Sequence, residues 1–306
     1  MDIKSIRSQS LTSCKPQQKV KDESNSLEDK AILMGNKSNT GMEQISQLKR
    51  VAETAIKEAT AKDITTEARK AVLKKVLQAQ AEAGIDTCGI NFDLIENVPA
   101  FTDDQYSGLK TVILNLWEGS GLDPNYAISM VLGNTGFNAS QNDALKTLAA
   151  YSNKKNDRND EAILDKIIKK TDITWGQLSV LKKLLINASL KNNNGVSLEA
   201  AIDKLFASPF VNHRTEYPQL FEVILNGQKK DTFDSNRAFE AICKTETLNT
   251  RKQAICSAIY TKSEEIGTAS TQIFTELLEG KLTEIQAKAK LPPYVRDLVS
   301  DMSVNS

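Results

Sequence analysis

A single histidine, His213, and four cysteines with no Cys-x-x-Cys pair leave this chain of 306 residues short of the usual ingredients of a metal centre. Sites built from two or three imidazoles are excluded, as are His-Glu-x-x-His and His-x-Glu…Cys-x-x-Cys arrangements. A Ser-His-Asp or Cys-His mechanism would have to run through His213 alone. That residue stands in Ser208-Pro209-Phe210-Val211-Asn212-His213-Arg214, read as a loop between helices with no nucleophile signature beside it. No run approaches the ~18 consecutive apolar residues of a membrane-crossing helix, so no transmembrane segment is expected. An excess of either charge is missing too: Lys plus Arg is 39 and Asp plus Glu is 39. That balance argues against a protein that coats nucleic acid or an anionic membrane by bulk charge. No catalytic, cofactor-binding or metal-ligating residue is assigned, and no cofactor is expected.

The cysteines Cys14, Cys88, Cys243 and Cys256 have no zinc spacing, and the last two sit among apolar neighbours on consecutive helical stretches. They read as buried free thiols of a reducing compartment, which places the chain in a cytosol. The Asn-x-Ser sequons at Asn36, Asn138 and Asn187 read as chance matches, since no apolar signal core opens the chain.

What is present is helical. Residues 1–42 stand apart: Ser, Gln, Asn and Lys dominate, aromatics are missing, and the few apolar residues keep no period. Such a segment buries too little surface to offset its ordering entropy, and it reads as a disordered tail. From Glu43 onward apolar residues recur at spacings of three and four, beginning with Ile45, Leu48, Ala52, Ala55, Ile56 and Ala59. Helix starts are marked by Thr102-Asp103-Asp104-Gln105 and Thr174-Trp175-Gly176-Gln177, both capping boxes, and by Asp123-Pro124, an N-cap followed by proline. Thr283 and Gln286 open a final pair of short helices around Pro292-Pro293. Residues 43–306 are therefore predicted to form an all-α multi-helix bundle of roughly eleven to thirteen short antiparallel helices. The polar stretch 152–160 suggests a hinge between two helical subdomains. Asp63-Ile64-Thr65 and Asp172-Ile173-Thr174 each lead into a Val-Leu-Lys-Lys helix, a hint of duplication. No solenoid period of roughly 34 to 47 residues is read from the chain.

Each candidate signal has a plainer explanation. The lysine pairs Lys74-Lys75, Lys154-Lys155, Lys169-Lys170, Lys182-Lys183 and Lys229-Lys230 would form a phosphate-binding groove only if they shared one face. Otherwise they solvate exposed helix faces, and the eight arginines are few for bidentate phosphate reading. Gly133-Asn134-Thr135-Gly136 lacks the Lys-Ser or Lys-Thr of a phosphate loop and reads as a helix–helix turn. Tyr217-Pro218-Gln219-Leu220 resembles the short late-domain peptide of some viral structural proteins, but the match covers four residues, and Tyr217 packing under a helix that starts at Pro218 is the preferred reading. Trp117 and Trp175 are assigned to interhelical packing, and Glu264-Glu265 to the end of a helix.

The tail ahead of a helical body resembles the layout of proteins exported by bacterial contact-dependent secretion systems. That resemblance implies an uncleaved export signal within residues 1–42 and a body acting on a host protein in the host cytosol. The reading is thus a non-enzymatic helical interaction protein, an effector or regulator in virulence. Two alternatives stand beside it: a nucleocapsid-like or assembly protein binding RNA through a segregated basic cleft, and an enzyme with a carboxylate or lysine centre. Residues 85–101 and 206–218 are unusually apolar for connections, so they either plug the core or await a partner. Phe92, Phe101, Phe210 and Tyr217 are the candidate partner surface.

Overall fold

The computed structural model describes residues 65–82, 87, 89–115, 121–152, 159–189, 197–208, 220–221, 224, 232–245 and 248–302. The proposed tail at 1–42, the first amphipathic stripe at 45–59, His213 and Trp117 lie outside them, as do Lys154, Lys155, Lys229 and Lys230. Among the described residues all regular structure is helical, as the apolar periodicity predicts. The chain divides into two compact units, one ending at Thr135 and the other starting at Gly136.

In the first unit the helices are α1 (Thr66–Glu82), α2 (Asp93–Glu96), α3 (Asp103–Asn115) and α4 (Pro124–Gly133). The second unit opens with α5 (Ala139–Tyr151), α6 (Asp160–Lys169), α7 (Trp175–Ser189), α8 (Leu198–Ala207) and α9 (Ser235–Lys244). It continues through α10 (Thr250–Thr261), α11 (Ser263–Ile266), α12 (Ala269–Leu278), α13 (Glu284–Lys290) and α14 (Pro293–Met302). The helices pack as stacked hairpins. Within hairpins, α3 packs on α4, α5 on α6, α7 on α8 and α10 on α12. Between hairpins, first helices meet first helices (α1 with α3, α5 with α7) and second helices meet second helices (α2 with α4, α6 with α8, α8 with α9, α9 with α12). Within each unit, the described helices pack mainly on the next hairpin along the chain, as in a repeat array.

The sequence carries that repeat, which corrects the expectation that no such period exists. Phe101-Thr102-x-x-Gln105-x-x-x-Leu109-Lys110 returns as Phe137-Asn138-x-x-Gln141-x-x-x-Leu145-Lys146 and as Ile173-Thr174-x-x-Gln177-x-x-x-Leu181-Lys182, at steps of 36 residues. Phe101, Phe137, Ile173 and, farther along, Leu248 are buried immediately before their caps. Second helices start from Asp123, Asn159, Ser197 and Asp234. Each then buries the same three positions: Ala127, Ile128 and Val131; Ile163, Leu164 and Ile167; Ala201, Ile202 and Leu205; Ala238, Phe239 and Ile242. Besides the lysine of this motif (Lys110, Lys146 and Lys182), only caps, one glutamine and buried positions recur, so the rest of each outward face varies freely and conceals the period.

The glutamines join the two ends of each hairpin. Gln105, Gln141 and Gln177 are the N3 residues of their capping boxes, where each Oε1 accepts the cap residue's backbone N–H at 2.9, 2.9 and 3.1 Å. Their Nε2 groups turn the other way, to carbonyls at or just past the C-terminus of the second helix of the same hairpin, where the intrahelical N–H donors run out. Gln105 donates to Val131, Leu132 and Asn134 at 3.2, 3.2 and 3.0 Å. Gln141 donates to Ile167, Ile168 and Lys170 at 3.3, 2.8 and 3.1 Å. Gln177 reaches Leu205 at 3.2 Å and Ser208 at 3.4 Å. One amide thus satisfies a helix start and a helix end, and all three glutamines are buried. Asn138 is occupied as well, accepting from Gln141 N and donating to the Thr171 carbonyl at 2.8 Å, so its sequon is a structural cap.

Elsewhere the expectations meet particular outcomes. Residues 153–158 of the proposed hinge lie outside the described residues, and α5 and α6 on either side pack together within one unit. Glu264 and Glu265 do not end a helix. They open the separate turn α11, which Gly267 closes at φ +76°, a left-handed conformation that glycine adopts without Cβ strain. Gly133 ends α4, and Asn134–Gly136 form the predicted turn between helices. Phe233 sets its ring edge against Tyr260 (4.8 Å) and Phe274 (5.4 Å) within the second unit's core.

Candidate interaction face

A first helix buries the positions six, seven, ten and eleven beyond its cap. In α5 these are Ala144, Leu145, Leu148 and Ala149, and in α7 Val180, Leu181, Leu184 and Leu185. The 3.6-residue period then turns the positions one, five, eight and twelve beyond the cap outward together. On α5 they are Ala139, Asp143, Lys146 and Ala150; on α7 they are Trp175, Ser179, Lys182 and Ile186. Because α5 and α7 pack side by side, these two stripes form one surface, and the ion pair between Asp143 and Lys182 bridges them.

Trp175 is the outstanding member. As the first residue of α7 it is 65% exposed, which corrects its assignment to interhelical packing. The reason is register. Its counterparts Asp103 and Ala139 stand at the same outward position, where no neighbouring helix arrives to cover a large ring. Below it, the Lys170 ammonium hydrogen-bonds Asp172 at 2.8 Å and holds that carboxyl below its ordinary range. Lys146 is exposed and has no ion-pair partner among the described residues.

The aromatic candidates fall elsewhere. Phe101 is 7% exposed and stacked on Tyr106 at 6.1 Å, so it is a core plug and not a surface contact. Phe92 is half-buried at the start of α2, with the Lys74 ammonium 5.5 Å from its ring centre. Phe210 and Tyr217 lie outside the described residues.

Of the described lysine pairs, Lys74, Lys169, Lys170 and Lys182 each meet a carboxylate, and other lysines do the same. Lys74 meets Glu96 at 3.3 Å, Lys169 meets Asp165 at 2.5 Å, and Lys204 meets Glu240 at 3.2 Å. Lys166 pairs with Asp203 from one second helix to the next. Burial pushes the Cys243 thiol up to about 12 and the Cys256 thiol up as well, so both are packing groups. Among the described residues no three His, Cys, Asp or Glu side chains are grouped to hold a metal ion, and no helix is long and apolar enough to cross a membrane.

Sequence reasoning passed over Trp175, Lys146 and Lys182 as a set. Laying the three capping boxes over one another at 36 residues would have placed them in one register. No family model, no curated protein and no solved structure matches this chain.

Proposed function

We propose that this protein is a non-catalytic scaffold that binds another protein through the outward face of α5 and α7. The observation that carries the reading is Trp175, a tryptophan 65% exposed on the first-helix surface of a hairpin array. Tryptophan is enriched among residues that dominate binding energy, because a large rigid ring gives up water at little entropic cost. Repeat arrays present extended surfaces of this kind for partners. Export from a bacterium and action in a host cytosol draw their support from the composition of residues 1–42 alone.

The test is affinity capture with the full chain, comparing wild type, Trp175→Ala and Ala200→Arg, the last an exposed position on α8 away from the face. A protein retained by wild type and Ala200→Arg but lost with Trp175→Ala is the expected result. Equal retention by all three, or no retained protein, refutes the reading.

A further inference from the structure

We infer that the partner segment is a peptide carrying a carboxylate between two apolar side chains; this rests on the scaffold reading above. The face is apolar at both ends and charged between. Trp175 stands at one end of α7 and Ile186 at the other, eleven residues or about 16 Å apart at the helical rise of 1.5 Å. Ala139 and Ala150 flank them on α5, small enough to leave both ends open. Between the ends lie Asp143, Lys146 and Lys182. Asp143 is already matched by Lys182, which leaves Lys146 as the uncompensated charge among the described residues of the face. The midpoint of the face is therefore positive by one unit, and an incoming carboxylate placed there gains a counter-ion.

The same inventory selects against the alternatives. A basic segment would meet Lys146. A polyanion such as single-stranded RNA would lay successive phosphates along the face, and a single net positive charge would leave all but one of them without a counter-ion. A peptide offers a lone acidic residue with apolar neighbours on either side. About three helical turns, or about five extended residues, cover the 16 Å span.

A random peptide library displayed against the full chain tests this, with the selected peptides synthesised and their Kd measured against wild type, Trp175→Ala and Lys146→Glu. Both positions are exposed, and thermal melts confirm that the variants fold. The expected pool is enriched in Asp or Glu between apolar residues. Its peptides weaken about tenfold or more with each variant, and selection against Lys146→Glu turns the preference to Lys or Arg. Peptides sensitive to Trp175→Ala but without acidic enrichment would overturn the inferred chemistry and leave the scaffold reading standing. Peptides indifferent to both variants would remove the face, and the scaffold reading with it. Competition by single-stranded RNA at physiological salt, lost on Lys146→Glu, would replace the peptide by a nucleic acid.

Discussion

Replacing Gln141 by glutamate separates the hairpin latch from an ordinary capping box. A capping box accepts Glu or Gln at N3, because only the acceptor oxygen is needed there. At Gln141 the other half of the amide is also used: the two Nε2 hydrogens are shared among three carbonyls at the end of α6, and the side chain is 0% exposed. Gln141→Ala removes these bonds and opens a cavity, which we put at about 3 kcal/mol from net bond values near 1 kcal/mol plus the void. Gln141→Glu keeps the bond to the Asn138 N–H but sets a buried anion against carbonyl oxygens. That is expected to cost about 3–5 kcal/mol at pH 7, the range for an uncompensated buried charge. The substituted carboxyl has a folded pKa raised above the roughly 4.3 of the unfolded chain. Its penalty is therefore absent below about pH 4, where both states hold the proton and the acid can donate. It grows as pH rises and levels off once the folded carboxyl ionises. Gln286→Glu is the control. Gln286 occupies the same box position after Thr283 but is exposed, and among the described residues its side chain hydrogen-bonds only to Thr283, so its change should stay within about 0.5 kcal/mol. Urea denaturation followed by circular dichroism at pH 4 and pH 7 measures all three variants. Equal, small losses for Gln141→Glu and Gln286→Glu would refute the latch.

Two further outcomes follow from burial. Phe101→Ala is expected to cost about 3–5 kcal/mol in urea denaturation and Phe92→Ala less than about 1.5 kcal/mol, because the first ring is 7% exposed and the second half-buried. Equal losses at both positions would contradict the plug assignment of Phe101. In a chain with Cys14 and Cys88 changed to serine, Cys243 and Cys256 should react with Ellman's reagent at pH 8 no faster than the protein unfolds. With the Cys243 thiol pushed up to about 12, its thiolate is scarce and enclosed. Rapid labelling of the native protein would show that the thiols are open.

The sequence by itself determined the all-α class, the helix starts and the buried stripes, because these are local properties. A cap acts on an N–H three residues away, as at Thr102 and Gln105 (3.1 Å), and an amphipathic stripe is a period within one helix. The absence of clustered histidines and cysteines was equally plain from the residues. The tertiary structure decided the rest. Gln105, Gln141 and Gln177 look like ordinary box residues until carbonyls from 26 residues on and beyond arrive at their Nε2 groups. Lys204 and Glu240 are 36 residues apart in the chain, and only the stacking of α8 on α9 makes them an ion pair. Phe101 and Trp175 make the contrast sharpest. Both are aromatic residues next to a threonine cap, yet Phe101 is buried against Tyr106 and Trp175 stands in solvent. One lies on the near side of its cap, where the neighbouring helix packs, and the other two residues on, at the register that the array turns outward. Which side a neighbour covers is a property of the stacked hairpins, and no window of local sequence contains it.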